Sequence, residues 1–274
     1  MKQPICIMAG GTGGHIFPGL AVAEELIKRG ETVCWIGSKH GLEGQLVPEK
    51  QIPIHYLAVR GLRGKHGLQQ ITGPIRLGIS LIQALILMMR LKPSVCVGFG
   101  GYPAGPGGIA AKIMKVPVVI HEQNAVAGMT NQYLAKFASK VLTAFPNVIQ
   151  GGECVGNPIR PEIDSVGRQR ITGERTPDAT TRILVIGGSQ GAKFLNEQLP
   201  DKLQAVASQF GIEVTHQSGV SGQQDVSEQY QALDLDATVV AFISRMDEAY
   251  RDADIVVCRA GALTVSELAA AAMP

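Results

Sequence analysis

ICIMAGGTGGHIFPGLAVAEEL, residues 5–26, passes from five apolar residues through four glycines around one threonine, meets His15, and continues with apolar positions at helical spacing. Strand, bare turn and helix in that order form the opening unit of a doubly wound α/β fold, whose first turn brings backbone N–H groups to a ligand phosphate. The rest of the chain repeats the alternation. Strand-like runs occur at residues 4–9, 32–37, 94–99, 116–121 and 140–145, with helical patterns between them. Their apolar residues are continuous rather than alternating, which predicts a parallel sheet covered on both faces.

A polar segment without periodicity, Asp164 to Thr181, reads as a boundary. RILVIGGSQGAKFLNEQL, residues 182–199, then restarts the strand, glycine turn and helix order. The echo predicts two Rossmann-like domains in tandem, residues 1–160 and 161–274, with ligands between them at the carboxyl ends of the strands. A doubly wound domain normally adds strands and a closing helix after a segment such as TVSELAAAAM, so the second domain reads as incomplete and the chain as C-terminally truncated.

Composition narrows the function classes. The formal net charge is +2 with 18% charged residues, and no basic stripe interleaved with aromatics marks a nucleic-acid surface. The five cysteines are widely spaced without a CxxC pair and read as small buried hydrophobes of a reducing compartment. The N-terminus lacks the pattern of a secretory signal, so a cytoplasmic protein is expected. The run LGISLIQALILMM, residues 77–89, is closed by Arg76 and Arg90, and is shorter than the about 20 residues of a membrane span.

Three glycine loops, Gly10–Gly14, Gly98–Gly108 and Gly187–Gly191, are the candidate sites. None is a Walker A loop, because Gly14 to Gly19 is followed by Leu20 and Ala21. Gly105-Pro106-Gly107-Gly108-Ile109-Ala110 meets the alanine form of the dinucleotide fingerprint with Glu122 downstream, but the preceding strand ends near Phe99, too early for the turn. Gly187-Gly188-Ser189-Gln190-Gly191 fits a nucleophile elbow, with His216 the only later histidine. Two Asp-x-Asp triplets, at residues 234–236 and 252–254, are of a kind common by chance. No other cluster has metal-ligand spacing, so no protein-built metal site is expected.

Six ordered motifs, GGTGGHIFPGLA, GFGGYPAGPGGIAA, HEQNAVAGMTN, VGNPIR, IGGSQGA and CRAGALTVSELAAA, resemble the MurG family across essentially the whole chain. The resemblance implies a GT-B fold and an inverting transferase that moves N-acetylglucosamine from UDP-N-acetylglucosamine (UDP-GlcNAc) to a lipid-linked muramyl-pentapeptide, peripheral at the cytoplasmic face of the bacterial inner membrane. It requires no cofactor; a divalent cation can accompany the diphosphate. Two other readings stay open: a UDP-sugar-binding module without activity, and a hydrolase using Ser189.

On this resemblance His15 is the candidate base, with a turn-capping or phosphate-binding role as the simpler reading, and Glu122 is a second acid/base candidate. Thr12, Gly13 and Gly14 face a diphosphate through their N–H groups, Tyr102 packs on the acceptor, and Asn124 contacts the donor sugar. Arg160 reaches the UDP, Ser189 binds phosphate and Ile243 meets uracil. Ala262, Leu263, Thr264, Val265 and Ser266 open an anion-binding helix, and Glu267 takes the ribose diol. Arg60, Arg63, Lys65 and Arg76, with Leu81 and Leu85, suggest an interfacial element on anionic lipid; a core helix with snorkelling arginines is the alternative.

Overall fold

Strands with no polar face must be buried on both sides, and in a computed structural model of the chain these runs form two parallel sheets. The structure describes residues 2–59, 68–172, 180–188 and 191–274, the side chains of residues 68–74 excepted. The chain divides into two compact units, Met1–Pro158 and Ile159–Pro274, so Arg160 belongs with the second.

The first unit runs β1 (Ile5–Ala9), α1 (Gly13–Lys28), β2 (Val33–Ser38), α2 (Glu43–Glu49), β3 (Ile54–Leu57), α3 (Leu68–Leu91), β4 (Val95–Gly100), α4 (Ala104–Ile113), β5 (Val118–Glu122), α5 (Met129–Ala135), β6 (Lys140–Thr143) and β7 (Glu153–Cys154). Its seven parallel strands lie in the order β3-β2-β1-β4-β5-β6-β7. Strand order reverses between β1 and β4, and at such a reversal the connections leave on opposite faces and open a crevice at the carboxyl ends. Alternate residues of β1 feed separate cores: Cys6 and Met8 join Ala84, Met88 and Leu134 on one face, and Ile7 and Ala9 join Ile16 and Trp35 on the other.

Register places Cys6 beside Cys34 on one neighbouring strand and beside Cys96 on the other. All three thiols are buried, a row of small apolar fillers across the middle of the sheet. The neighbouring thiols, first Cys34 and then Cys96, act with burial to hold Cys6 protonated well above the ordinary thiol range.

The second unit runs α6 (Pro161–Thr172), β8 (Thr181–Ile186), α7 (Lys193–Ala207), β9 (Ile212–Gln217), α8 (Gln223–Ala232), β10 (Ala237–Val240), α9 (Met246–Asp252), β11 (Ile255–Cys258) and α10 (Ala262–Ala270). Its parallel strands lie in the order β10-β9-β8-β11, which puts the reversal between β8 and β11.

Two expectations need correction. The segment from Asp164, read as irregular, is helical through Thr172. Pro161 opens it and Glu162 and Asp164 complement its positive end, while Ile163, Val166 and Gly167 form one buried face. Gly167 is obligatory there, since a Cβ would collide with the Ala270 carbonyl. The candidate loop Gly98–Gly108 is shorter than expected: Gly105, Gly107 and Gly108 lie inside α4, in keeping with the early strand end that spoke against a dinucleotide turn. They serve packing: a Cβ on Gly107 would stand 2.6 Å from Met8 Sδ, and one on Gly108 2.6 Å from Leu134 Cδ2.

Candidate functional site

In the first unit the loop after β1 and the loop after β4 meet at the strand reversal. Gly101, at φ +79°, brings its Cα against the Gly10 carbonyl, where a side chain would collide. Gly11 adopts φ +96° with open space around it, so a hydrogen bond rather than packing selects its conformation. That bond runs from the Gly11 N–H to Glu43 Oε2, 3.0 Å. The other carboxylate oxygen, Oε1, accepts from the Ser38 N–H at 2.8 Å and the Ser38 hydroxyl at 2.7 Å. Glu43 is fully buried in the first turn of α2, whose positive end suits a carboxylate. No motif in the sequence marks it.

α1 begins at Gly13 and Gly14, and its N-cap, Thr12, makes no side-chain cap bond to the helix. The N–H groups of Gly13 and Gly14 are thus left for solvent or an anion. The Thr12 hydroxyl instead lies 3.3 Å from His15 Nδ1. The other edge of the imidazole rests on Gly100, where a Cβ would be 3.0 Å from Cδ2 and 3.2 Å from Nε2. Burial lowers the His15 pKa below its ordinary 6.5, while the carboxylates of Glu122 and Glu43 pull it back up. The imidazole is neutral at physiological pH, the state a base requires.

Glu122 ends β5 with both oxygens committed. Oε1 accepts from Asn124 N and Nδ2 at 3.0 and 2.9 Å, and Oε2 from Gly128 N and Asn131 Nδ2 at 3.0 and 2.9 Å. This buried carboxylate therefore shapes the 124–131 loop and presents Asn124 at the surface. His121 Nε2 pairs with the Gly156 carbonyl at 2.9 Å, and burial lowers its pKa. Three buried atoms here, His121 Nδ1, Gln123 Oε1 and Asn131 Oδ1, have no hydrogen-bond partner among the described residues. Tyr102, in the turn before α4, is 40% exposed.

In the second unit, Gly187 and Gly191 let the loop after β8 lie on backbone: a Cβ at the first would be 2.6 Å from the Gln217 carbonyl, and one at the second would strike that of Ser218. Ser189, between them, lies outside the described residues. α7 and α10 begin without a side-chain cap, so the first turn of α10, Ala262 to Val265, has the bare N-terminus expected of an anion site. Glu267 faces inward: Oε1 accepts from Arg160 Nε and Nη2 at 3.1 and 2.9 Å, and Oε2 takes the Tyr250 hydroxyl at 3.5 Å. Burial raises its pKa, and the Arg160 charge opposes that. The two residues expected to hold the nucleotide are thus partners of each other, and Tyr250 is a member of the site that the sequence did not reveal.

Ile243 lines a groove of about 770 Å³ with Phe242, Arg245, Glu248 and Thr215. Asp254 binds the Arg182 N–H at 2.8 Å, a strand-joining role for its Asp-x-Asp triplet. Among the described residues no group of three His, Cys, Asp or Glu side chains is placed to hold a metal. His216, the histidine a Ser189 hydrolase would need, is fully buried with Nδ1 3.0 Å from the Tyr230 hydroxyl.

α3 carries two faces. Ala84 and Met88 are in the core, with Leu81 and Leu85 packed half-buried against it. The expected lipid-facing pair therefore points inward. Ile75, Ile79, Ile82, Ile86 and Met89, at alternating spacings of four and three, form the exposed stripe instead. Arg76 and Arg90 flank it; Arg60, Arg63 and Lys65 lie outside the described residues. No described helix is long and apolar enough to cross a membrane.

Two parallel doubly wound units, each with a glycine loop and an uncapped helix at its strand reversal, define the GT-B architecture. Residues 5–143 match the glycosyltransferase family 28 N-terminal domain and residues 182–274 the glycosyltransferase family 28 C-terminal domain. The chain belongs to glycosyltransferase family 28. It is 47% identical over 278 residues to the UDP-N-acetylglucosamine--N-acetylmuramyl-(pentapeptide) pyrophosphoryl-undecaprenol N-acetylglucosamine transferase of Pseudomonas syringae pv. tomato, covering all of this chain and 77% of that one. It is 44% identical over 280 residues to the transferase of the same name from Haemophilus ducreyi, with the same coverage. The crystal structure of Acinetobacter baumannii MurG superposes with a TM-score of 0.73 at 38% identity, over 98% of this chain and 76% of that one. A UDP-GlcNAc 2-epimerase from Neisseria meningitidis shares the fold alone, with a TM-score of 0.65 at 14% identity over 98% of this chain and 80% of that one.

Proposed function

We propose that this chain transfers N-acetylglucosamine from UDP-GlcNAc to the undecaprenyl-pyrophosphate-linked N-acetylmuramyl-pentapeptide, a step of peptidoglycan synthesis. The observation that carries the reading is the 44–47% identity, over the whole chain, to transferases of that name. The acceptor hydroxyl attacks the anomeric carbon of the donor with inversion. The bond from that carbon to the UDP oxygen breaks, and the electron pair leaves with UDP. His15, neutral and at the mouth of the first glycine loop, takes the hydroxyl proton.

Glu122, with four hydrogen bonds from the protein, holds the loop that carries Asn124 toward the donor sugar. Tyr102 packs on the acceptor, and Thr12, Gly13 and Gly14 offer N–H groups to a diphosphate. In the second unit Ser189 and the first turn of α10 receive the UDP phosphates, and Ile243 meets the uracil. Donor binding exchanges partners: the ribose diol takes the Glu267 carboxylate, and the released Arg160 guanidinium goes to the phosphates. The uncapped helix ends supply positive potential to the leaving group, so no cofactor is needed.

The exposed stripe of α3, flanked by arginines, lies on an anionic membrane surface beside the polyprenyl acceptor, placing the enzyme peripherally at the cytoplasmic face of the inner membrane. Steady-state transfer with His15→Ala tests the chemistry. A loss of kcat of about 10²-fold or more is expected, and turnover within about threefold of the parent would remove His15 as the base.

A further inference from the structure

We infer that Glu43 is a positioning residue for transfer: it fixes the Gly10–Gly14 loop and, through that loop, the imidazole of His15. The inference rests on the transferase reading above. It starts from space rather than charge. Three glycines, Gly10 from the first glycine loop and Gly37 and Gly41 from the end of β2 and the turn after it, leave room for this one side chain. A Cβ on Gly10 or Gly41 would overlap its carboxylate, and one on Gly37 would stand 2.7 Å from its Cγ. A fully buried carboxylate for which three glycines leave room is not an incidental surface acid that turned inward.

Its bonds join two strand ends. Oε1 holds the end of β2 through Ser38, and Oε2 holds Gly11, which has no packing of its own to keep it at positive φ. Thr12 follows directly, its carbonyl accepting from the His15 N–H at 3.1 Å and its hydroxyl meeting Nδ1 at 3.3 Å. The path from Glu43 to the imidazole is thus one hydrogen bond, two residues of backbone and one side-chain contact. The charged groups facing His15 are Glu122 from β5 and Glu43 from α2, and both favour its protonated form. Glu43 touches no reacting atom in this scheme and acts only through the loop.

Glu43→Gln keeps the shape but turns an N–H donor toward a backbone donor. Expected for the whole chain, with UDP-GlcNAc and a lipid-linked muramyl acceptor, is a fall of at least tenfold in kcat with the KM for UDP-GlcNAc within threefold. Ser38→Ala loses a bond on the side away from the loop, and should lower the melting temperature while leaving kcat within twofold. Should Glu43→Gln not fold, Gly41→Ala decides: it displaces the carboxylate without deleting it and should lower kcat several-fold. The positioning role is overturned if kcat in folded Glu43→Gln stays within threefold of the parent, or if Ser38→Ala loses as much kcat as Glu43→Gln. An NMR titration of His15 in the free protein needs no turnover. Glu43→Gln should move its midpoint down and change its ring shifts; ring signals identical to the parent's would also overturn the role, whether or not the parent shows transfer.

Discussion

Acidification should weaken the second unit chiefly through one side chain. His216 is buried against Tyr230 with its ring in edge contact, centroids 5.8 Å apart, and burial pushes its pKa from 6.5 to about 4. The unfolded chain binds a proton at this histidine once the pH falls below 6.5, whereas the folded unit does not until about 4. Stability is therefore complete above 6.5, declines between 6.5 and about 4, and levels off below, as far as this group is concerned. At about 1.4 kcal/mol for each pH unit, the loss is roughly 3 kcal/mol. With a urea dependence of about 1–3 kcal/mol/M, the midpoint should drop by roughly 1–3 M.

The assay can isolate the unit, because the only tryptophan, Trp35, lies in the other one. Tryptophan emission follows the first unit, while amide exchange in β8 and β9 follows the second. His216→Phe keeps the ring contact and strands the Tyr230 hydroxyl, at a cost of about 1–3 kcal/mol at every pH, but it should flatten the acid slope. A slope in the variant equal to that of the parent, or a His216 midpoint near 6.5 by NMR, would refute the reasoning.

Three further outcomes are expected. Arg160→Gln leaves the Glu267 carboxylate buried with Tyr250 alone and should cost roughly 3 kcal/mol, which the double variant Arg160→Gln/Glu267→Gln should largely restore; chemical denaturation of the single and double variants measures both. Gly19→Ala places a Cβ 2.7 Å from Trp35 Cη2, an overpacking cost of about 1–3 kcal/mol that should also alter the lone tryptophan's emission, and an unchanged melting temperature would contradict that packing. Ile82→Asp/Ile86→Asp should abolish flotation with anionic vesicles without lowering the melting temperature, and undiminished flotation would remove α3 from the membrane surface.

Much of the architecture was legible because buried parallel strands leave a strong trace. Residues 4–9, 32–37 and 94–99 contain almost nothing but apolar residues, and each became a strand within a residue or so of its expected bounds. β3 and β7 left no such trace, being four and two residues long, with β7 exposed at the sheet edge. α6 was hidden because its average hydropathy is low and only Ile163, Val166 and Gly167 turn inward.

At the site, the motifs located His15 and Glu122 but not what holds them. Glu43 and Tyr250 act across the chain: Glu43 reaches Gly11 over 32 positions and Tyr250 reaches Glu267 over 17. Contacts of that kind have no local pattern to betray them. Leu81 and Leu85 show the converse limit, since an all-apolar stretch on a helix does not reveal which stripe faces the core.

The row of thiols across β2, β1 and β4 makes the first unit its own stopwatch. Cys6, Cys34 and Cys96 are between 0% and 4% exposed, while Cys154, in the same unit, lies on the surface. An alkylating reagent will consume Cys154 at the intrinsic chemical rate and reach the other three only when the centre of the sheet parts. The ratio of the two rates reads the frequency of that opening in the native protein, with no denaturant and no engineered label.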